Sequence, residues 1–139
     1  MDSNKSILII DDDDWSQRIL TRSLKSFGYK TIYTASDGFE GLNLAFSQKP
    51  ALILLDLMIP EVSGHMILKM LKSIQATRNI PVLIVSALSD EANINLAKKY
   101  GAAGYITKPF TNSGLHVKLA EILNKDNIDQ MPPRTISEE

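Results

Sequence analysis

The chain predicts a three-layer α/β sandwich, a five-stranded parallel sheet with helices on both faces. Short apolar runs alternate with amphipathic segments five times along 139 residues, a length suited to one domain. The first run, Ile7-Leu8-Ile9-Ile10, is β-branched and apolar on both faces, as a central parallel strand must be. Single helices between successive strands imply right-handed crossovers that cover both sides of the sheet.

Residues 7–10 form the first strand candidate. Trp15, Ile19, Leu20, Leu24 and Phe27 then lie near one helical face, and Gly28 provides a stop. Residues 31–35 read as the second strand, and Phe39, Leu42 and Phe46 mark a weaker helix with Gly41 in its middle. The third strand spans 51–55, followed by a helix marked by Ile67, Met70, Leu71 and Ile74. Residues 82–85 make the fourth strand, and a helix from about 91 to 100 closes at Gly101. The fifth strand, 104–107, precedes a helix built on Leu115, Leu119, Ile122 and Leu123, with Thr111 as N-cap. After Asn124 the chain turns polar. The expected division is a domain at 1–124 and a flexible tail at 125–139.

Composition narrows the function classes. Lys and Arg are scattered and the net charge is −1, which argues against a dedicated nucleic-acid surface. Without cysteine, disulfides, thiolate catalysis and cysteine metal sites are excluded. The longest apolar stretch, 51–60, is too short to span a membrane and is broken by Asp56. No signal-peptide core follows Met1, so a cytoplasmic location is expected.

The first strand stops abruptly at Asp11-Asp12-Asp13-Asp14. Crowded carboxylates repel one another unless a cation holds them, and a hard divalent ion such as Mg²⁺ suits oxygen ligands. Asp13 or Asp14 could equally cap a helix and complement its dipole. Other strand ends repeat the pattern: the third delivers Asp56, the fourth Ser86 and the fifth Lys108. Each alone has a bland explanation, as a loop cap, a satisfied hydroxyl or a solvated lysine. If strands one, three, four and five are neighbours, these groups meet in one crevice where α/β sheets bind ligands. Clustered carboxylates would hold Mg²⁺, an exposed carboxylate could attack a phosphoryl group, and metal, ammonium and hydroxyl would neutralise its oxygens.

Asp11-Asp12, Asp56 with Leu57-Met58-Ile59-Pro60 and Gly64, Ser86-Ala87 and Lys108-Pro109-Phe110 together resemble the receiver (phosphoacceptor) domain of two-component response regulators. The likeness runs from about Lys5 to Asn124. It implies a flavodoxin-like doubly wound (βα)₅ sheet of order 2-1-3-4-5. It also implies Asp56 as phosphorylated nucleophile, Asp12 as a direct Mg²⁺ ligand, Asp11 as a ligand through water and Met58 as a backbone-carbonyl ligand. Ser86 and Lys108 would contact the phosphoryl group, Tyr105 would be the aromatic switch residue, and the Lys108–Pro109 bond would be cis. The implied partners are a sensor histidine kinase or phosphotransfer protein and a downstream protein or second copy. These last would dock on the face of the fourth helix, fifth strand and fifth helix. Self-catalysed dephosphorylation is implied too. The chain is expected to carry no output domain, or to be the receiver portion of a larger protein.

Some residues depart from the common pattern of that family. Ser86 stands for the frequent Thr, Glu61-Val62-Ser63-Gly64 lacks an Asp before Gly, and Gly41 replaces Ala, which suggests a looser second helix. Met58 and Leu88 are apolar beside the site and are expected to alter water access and phosphoryl lifetime. His65 and His116 read as surface residues, the five methionines as core filler, and Trp15 as a partly buried packing residue able to report Mg²⁺ by fluorescence. Two other functions compete. A Mg²⁺-dependent phosphatase would use an Asp-x-Asp, formally present at 11–13, but Trp15 stands where Thr or Val is expected. A binding-only module would need to have lost phosphorylation, although all the required residues are present.

Overall fold

The protein's structure, a computed structural model, describes residues 5–130 in backbone and 5–124 in side chains. The elements are β1 (Ser6–Ile10), α1 (Asp14–Ser26), β2 (Thr31–Ala35), α2 (Gly38–Gln48) and β3 (Leu52–Leu55). They continue as α3 (Gly64–Ser73), β4 (Val82–Ser86), α4 (Glu91–Lys99), β5 (Gly104–Thr107) and α5 (Asn112–Gln130). The sheet is parallel throughout with order β2-β1-β3-β4-β5, as expected. Helix α5 continues past Asn124; residues 131–139 of the expected tail lie outside the described residues. Among the described residues no helix is long and apolar enough to cross a membrane.

Strand periodicity divides the core in two. In β1, Ile7 and Ile9 face a cluster with Leu20 and Leu24 of α1 and Leu115 and Leu119 of α5. Leu8 and Ile10 point to the other side, with Leu42 and Ala45 of α2, Ile67 and Leu71 of α3 and Ala97 of α4. The four apolar residues of β1, Ile7 to Ile10, are fully buried, each worth about 1.5–3 kcal/mol of apolar transfer. Buried on both faces, β1 is rigid, and its C-terminal end is a firm place from which to project side chains.

Side-chain caps fix where the helices begin. Asp13 accepts from the Ser16 N–H at 2.9 Å, Asp37 from Glu40 at 2.8 Å and Asp90 from Asn93 at 3.2 Å. Ser63 caps α3, and Thr111 accepts from the Gly114 N–H at 2.9 Å. Asp13 is thus the helix starter among the aspartates, while Asp14 lies in the first turn.

Two helices pack differently from expectation. Trp15 is 67% exposed instead of partly buried. Leu20 faces the core, and Trp15, five residues earlier, lies about 140° away around the helix. On α2, Phe39 and Phe46 are exposed, and Gly38, Gly41, Leu42 and Ala45 make the inward face. Gly41 is a packing device, not a loose point: a Cβ there would stand 2.5 Å from Ile10 Cδ1. Small residues let α2 lie close against β1.

Candidate functional site

The topology gathers the C-terminal ends of β1, β3, β4 and β5, and the backbone ladder runs one step beyond the strands. Asp11 N–H donates to Ala35 O at 3.0 Å, Asp56 N–H to Ile10 O at 2.9 Å and Lys108 N–H to Ser86 O at 2.8 Å. Asp11, Asp56 and Lys108 are therefore positioned by the sheet and not by mobile loops. The Lys108–Pro109 peptide is cis, as expected.

Lys108 organises the crevice. Its ammonium donates to Asp11 Oδ2 at 2.8 Å, Asp56 Oδ2 at 2.9 Å and Ser16 Oγ at 3.2 Å, which uses all three of its donors. The other carboxylate oxygens take backbone donors: Met58 N–H reaches Asp56 Oδ1 at 2.9 Å, and Asp13 N–H reaches Asp11 Oδ1 at 3.0 Å. Burial pushes the Asp11 carboxyl above its ordinary pKa, outweighing the pull of Lys108 and the Asp13 N–H. Burial alone would lower the Lys108 pKa, but bonds from Asp11 and Asp56 outweigh it and the net shift is upward. Two carboxylates on one ammonium leave an excess of negative charge.

That excess, with oxygen donors from Asp11, Asp56 and Asp12, fits a hard divalent cation. Asp12 is exposed and makes no hydrogen bond among the described residues. Among those residues no group of three or more acidic, His or Cys side chains is gathered into a protein-only metal cage. Mg²⁺ does not require one, since it commonly binds one or two carboxylates and keeps several waters.

Ser86 is fully buried, and its Oγ accepts from the Leu88 N–H at 3.3 Å. Tyr105 donates its hydroxyl to the Leu88 carbonyl at 2.5 Å. Burial raises the phenol pKa, and the Asp90 and Asp56 charges add to the rise. Ser86, Leu88 and Tyr105 thus form one chain from the strand end to the β4–α4 loop. Met58 is exposed and Leu88 half-buried. On the other side, a groove of about 430 Å³ is lined by Trp15, Ile19, Ala87, Lys108, Pro109 and Phe110, among others.

The two histidines stay out of this crevice. His116 is exposed and stacks on Phe27 with centroids 4.3 Å apart. His65 is half-buried and not a surface residue, because its Nε2 bonds Asn93 Oδ1 at 2.7 Å and its ring meets Tyr100 edge-on. Sequence reasoning missed Ser16 on Lys108, and also Gln17, whose amide reaches the Asp11 carbonyl at 2.6 Å. Their place in the first turn after the Asp13 cap, beside the end of β1, was the available signal.

The chain is also similar to known proteins in sequence and in fold. The response regulator receiver domain family matches residues 7–120. The chain is 37% identical over 125 residues to the alkaline phosphatase synthesis transcriptional regulatory protein PhoP of Bacillus subtilis. That match covers 90% of this chain and 51% of the relative, so the chain spans about half of that protein. It is 36% identical over 107 residues to the polar-differentiation response regulator DivK of Brucella ovis, covering 77% of this chain and 86% of the relative. A CheY-like receiver domain protein from Methanospirillum hungatei superposes with a TM-score of 0.83 at 26% identity, covering 90% of this chain and 98% of that one.

Proposed function

The chain belongs to the response regulator receiver domain family, whose members act in phosphorelay signalling, and from that premise we propose that Asp56 is its phosphoacceptor. One observation carries the reading: Asp56 and Asp11, both buried, share the half-buried ammonium of Lys108 at the C-terminal edge of the sheet. An Asp56 carboxylate oxygen attacks the phosphorus of a phosphohistidine. The new O–P bond forms as the N–P bond breaks, and the electron pair leaves on the imidazole. Lys108 is already within bonding distance of Asp56 and transfers its hydrogen bond to a phosphoryl oxygen. The Ser86 hydroxyl, an acceptor from Leu88, keeps its own hydrogen to donate to another. A Mg²⁺ ion held by Asp11, Asp12, Asp56 and the Met58 carbonyl would supply charge neutralisation at those oxygens. Water attack on the phosphorus then returns Asp56 and free phosphate.

The donor has a surface to meet. The groove between α1 and the β5–α5 loop opens beside Lys108, and the exposed ring of Trp15 stands on its rim. A kinase or phosphotransfer protein docked there brings its phosphohistidine to Asp56. On the opposite side, the new dianion redistributes the Ser86–Leu88–Tyr105 chain and so reshapes the face of α4, β5 and α5. A downstream protein or a second copy reads that face.

Acetyl phosphate with Mg²⁺, followed by intact mass, tests the reading. One added phosphoryl group that disappears in Asp56→Asn supports it. Modification that persists in Asp56→Asn, or turnover of phosphate esters independent of Asp56, overturns it and favours a phosphatase.

A further inference from the structure

We propose that Gln17 is a positioning residue of the cation site, whose side-chain amide sets the Asp11–Asp12 peptide and thereby the direction of Asp12. The inference rests on the reading that Asp12 is a cation ligand. The Asp12 carboxylate has no hydrogen bond of its own among the described residues, so only its backbone orients it. That backbone is pinned on three sides. Asp11 N–H is held by the Ala35 carbonyl at 3.0 Å, and Asp13 N–H by Asp11 Oδ1 at 3.0 Å. The Asp11 carbonyl, which belongs to the peptide leading into Asp12, receives Gln17 Nε2 at 2.6 Å.

The same NH₂ group reaches Ala35 O at 3.2 Å and Ser36 Oγ at 3.3 Å. Carbonyl oxygens only accept, so the amide must present its nitrogen to them and cannot be flipped. One half-buried amide therefore ties together the ends of β1 and β2. Without it the Asp11 carbonyl loses its side-chain donor while Ala35 O keeps the Asp11 N–H, and the Asp11–Asp12 peptide is held less firmly. The Asp12 carboxylate then loses the direction that its backbone sets. Groups that orient metal ligands typically cost tenfold or more in affinity when removed; the low end of that range, about tenfold, is expected for Gln17.

Gln17→Met removes the donors while keeping length and charge. Mg²⁺ affinity, measured by calorimetry and by Trp15 fluorescence, is expected to weaken about tenfold in Gln17→Met relative to wild type. Thr77→Val deletes a buried hydroxyl bond to Leu71 O far from the crevice and serves as the stability control; its Mg²⁺ affinity is expected to stay unchanged. In an Asp12→Asn background, Gln17→Met is expected to add almost nothing, because both changes remove the same ligand. Wild-type affinity in Gln17→Met, or an undiminished loss in the Asp12→Asn background, overturns the proposal while leaving the cation site intact. Failure of the wild type itself to bind Mg²⁺ overturns the site and this inference with it.

Discussion

Replacing Lys108 by Met removes the charge that holds Asp11 and Asp56 together while keeping much of the side-chain volume. Each acceptor oxygen lies within 2.8 or 2.9 Å of the ammonium, so the two oxygens are at most 5.7 Å apart. At an effective dielectric of about 20, two unit charges at that separation repel by about 3 kcal/mol. That agrees with the 3–5 kcal/mol typically lost when a buried pair loses one partner. Urea denaturation in metal-free buffer at neutral pH is therefore expected to show Lys108→Met less stable by about 3 kcal/mol. Two rescues follow from the same electrostatics. Adding Asp11→Asn removes the repulsion and recovers most of the loss. Mg²⁺ replaces the missing positive charge and raises the midpoint of the variant more than that of the wild type. Wild-type stability in metal-free buffer, or a loss that neither Asp11→Asn nor Mg²⁺ reduces, would refute the electrostatic reasoning.

Asp11→Asn alone is expected to stabilise the fold at neutral pH. Burial holds the Asp11 pKa above its ordinary 3.8, so the native state binds more protons between 3.8 and the folded value, and stability falls as pH rises through that window. The variant should lack that fall in denaturation midpoints measured across acidic pH. Lys108 contributes in the alkaline range: its pKa is raised above 10.5, so its stabilisation is present below 10.5 and lost as pH rises through the folded value. Gly41→Ala sets a helix-propensity gain of about 1 kcal/mol against overpacking onto Ile10 of about 1–3 kcal/mol; a net loss in chemical denaturation is expected, and a gain would contradict the close α2–β1 packing. Trp15→Ala is expected to slow phosphotransfer from a donor protein while leaving phosphorylation by acetyl phosphate unchanged; equal slowing of both would exclude the groove as the docking surface. Met58→Asn and Leu88→Glu are expected to shorten or lengthen the phosphoryl lifetime, followed by phosphate release, and an unchanged lifetime would show that these side chains do not control water access.

Much of this architecture is written in local patterns. The four apolar residues of β1 can be satisfied only in a strand covered on both faces, and the carboxylates, hydroxyl and lysine stand out because each ends an apolar run. Asp13 as a cap, and the stops at Gly28 and Gly101, follow from short-range backbone chemistry, with both glycines at positive φ. What stayed hidden depends on close approach in three dimensions. Hydropathy assigns Phe39 and Phe46 to the inner face of α2, but Gly38, Gly41 and Ala45 permit a closer contact than either ring could. Ser16 and Gln17 are ordinary polar residues in a helical first turn, and only the placement of β1, β2 and β5 around them gives each a partner. His65 reads as a loop-proximal surface residue until α4 supplies Asn93.

Locating the acyl phosphate chemically tests the central claim most directly. Borohydride reduces an aspartyl phosphate to homoserine, which marks the modified position in a peptide digest. After acetyl phosphate and Mg²⁺ treatment, homoserine is expected at position 56 and at none of Asp11, Asp12, Asp13 or Asp14. Homoserine in the 11–14 segment with Asp56 intact would place the nucleophile at the end of β1 and contradict the assignment of Asp56 as phosphoacceptor.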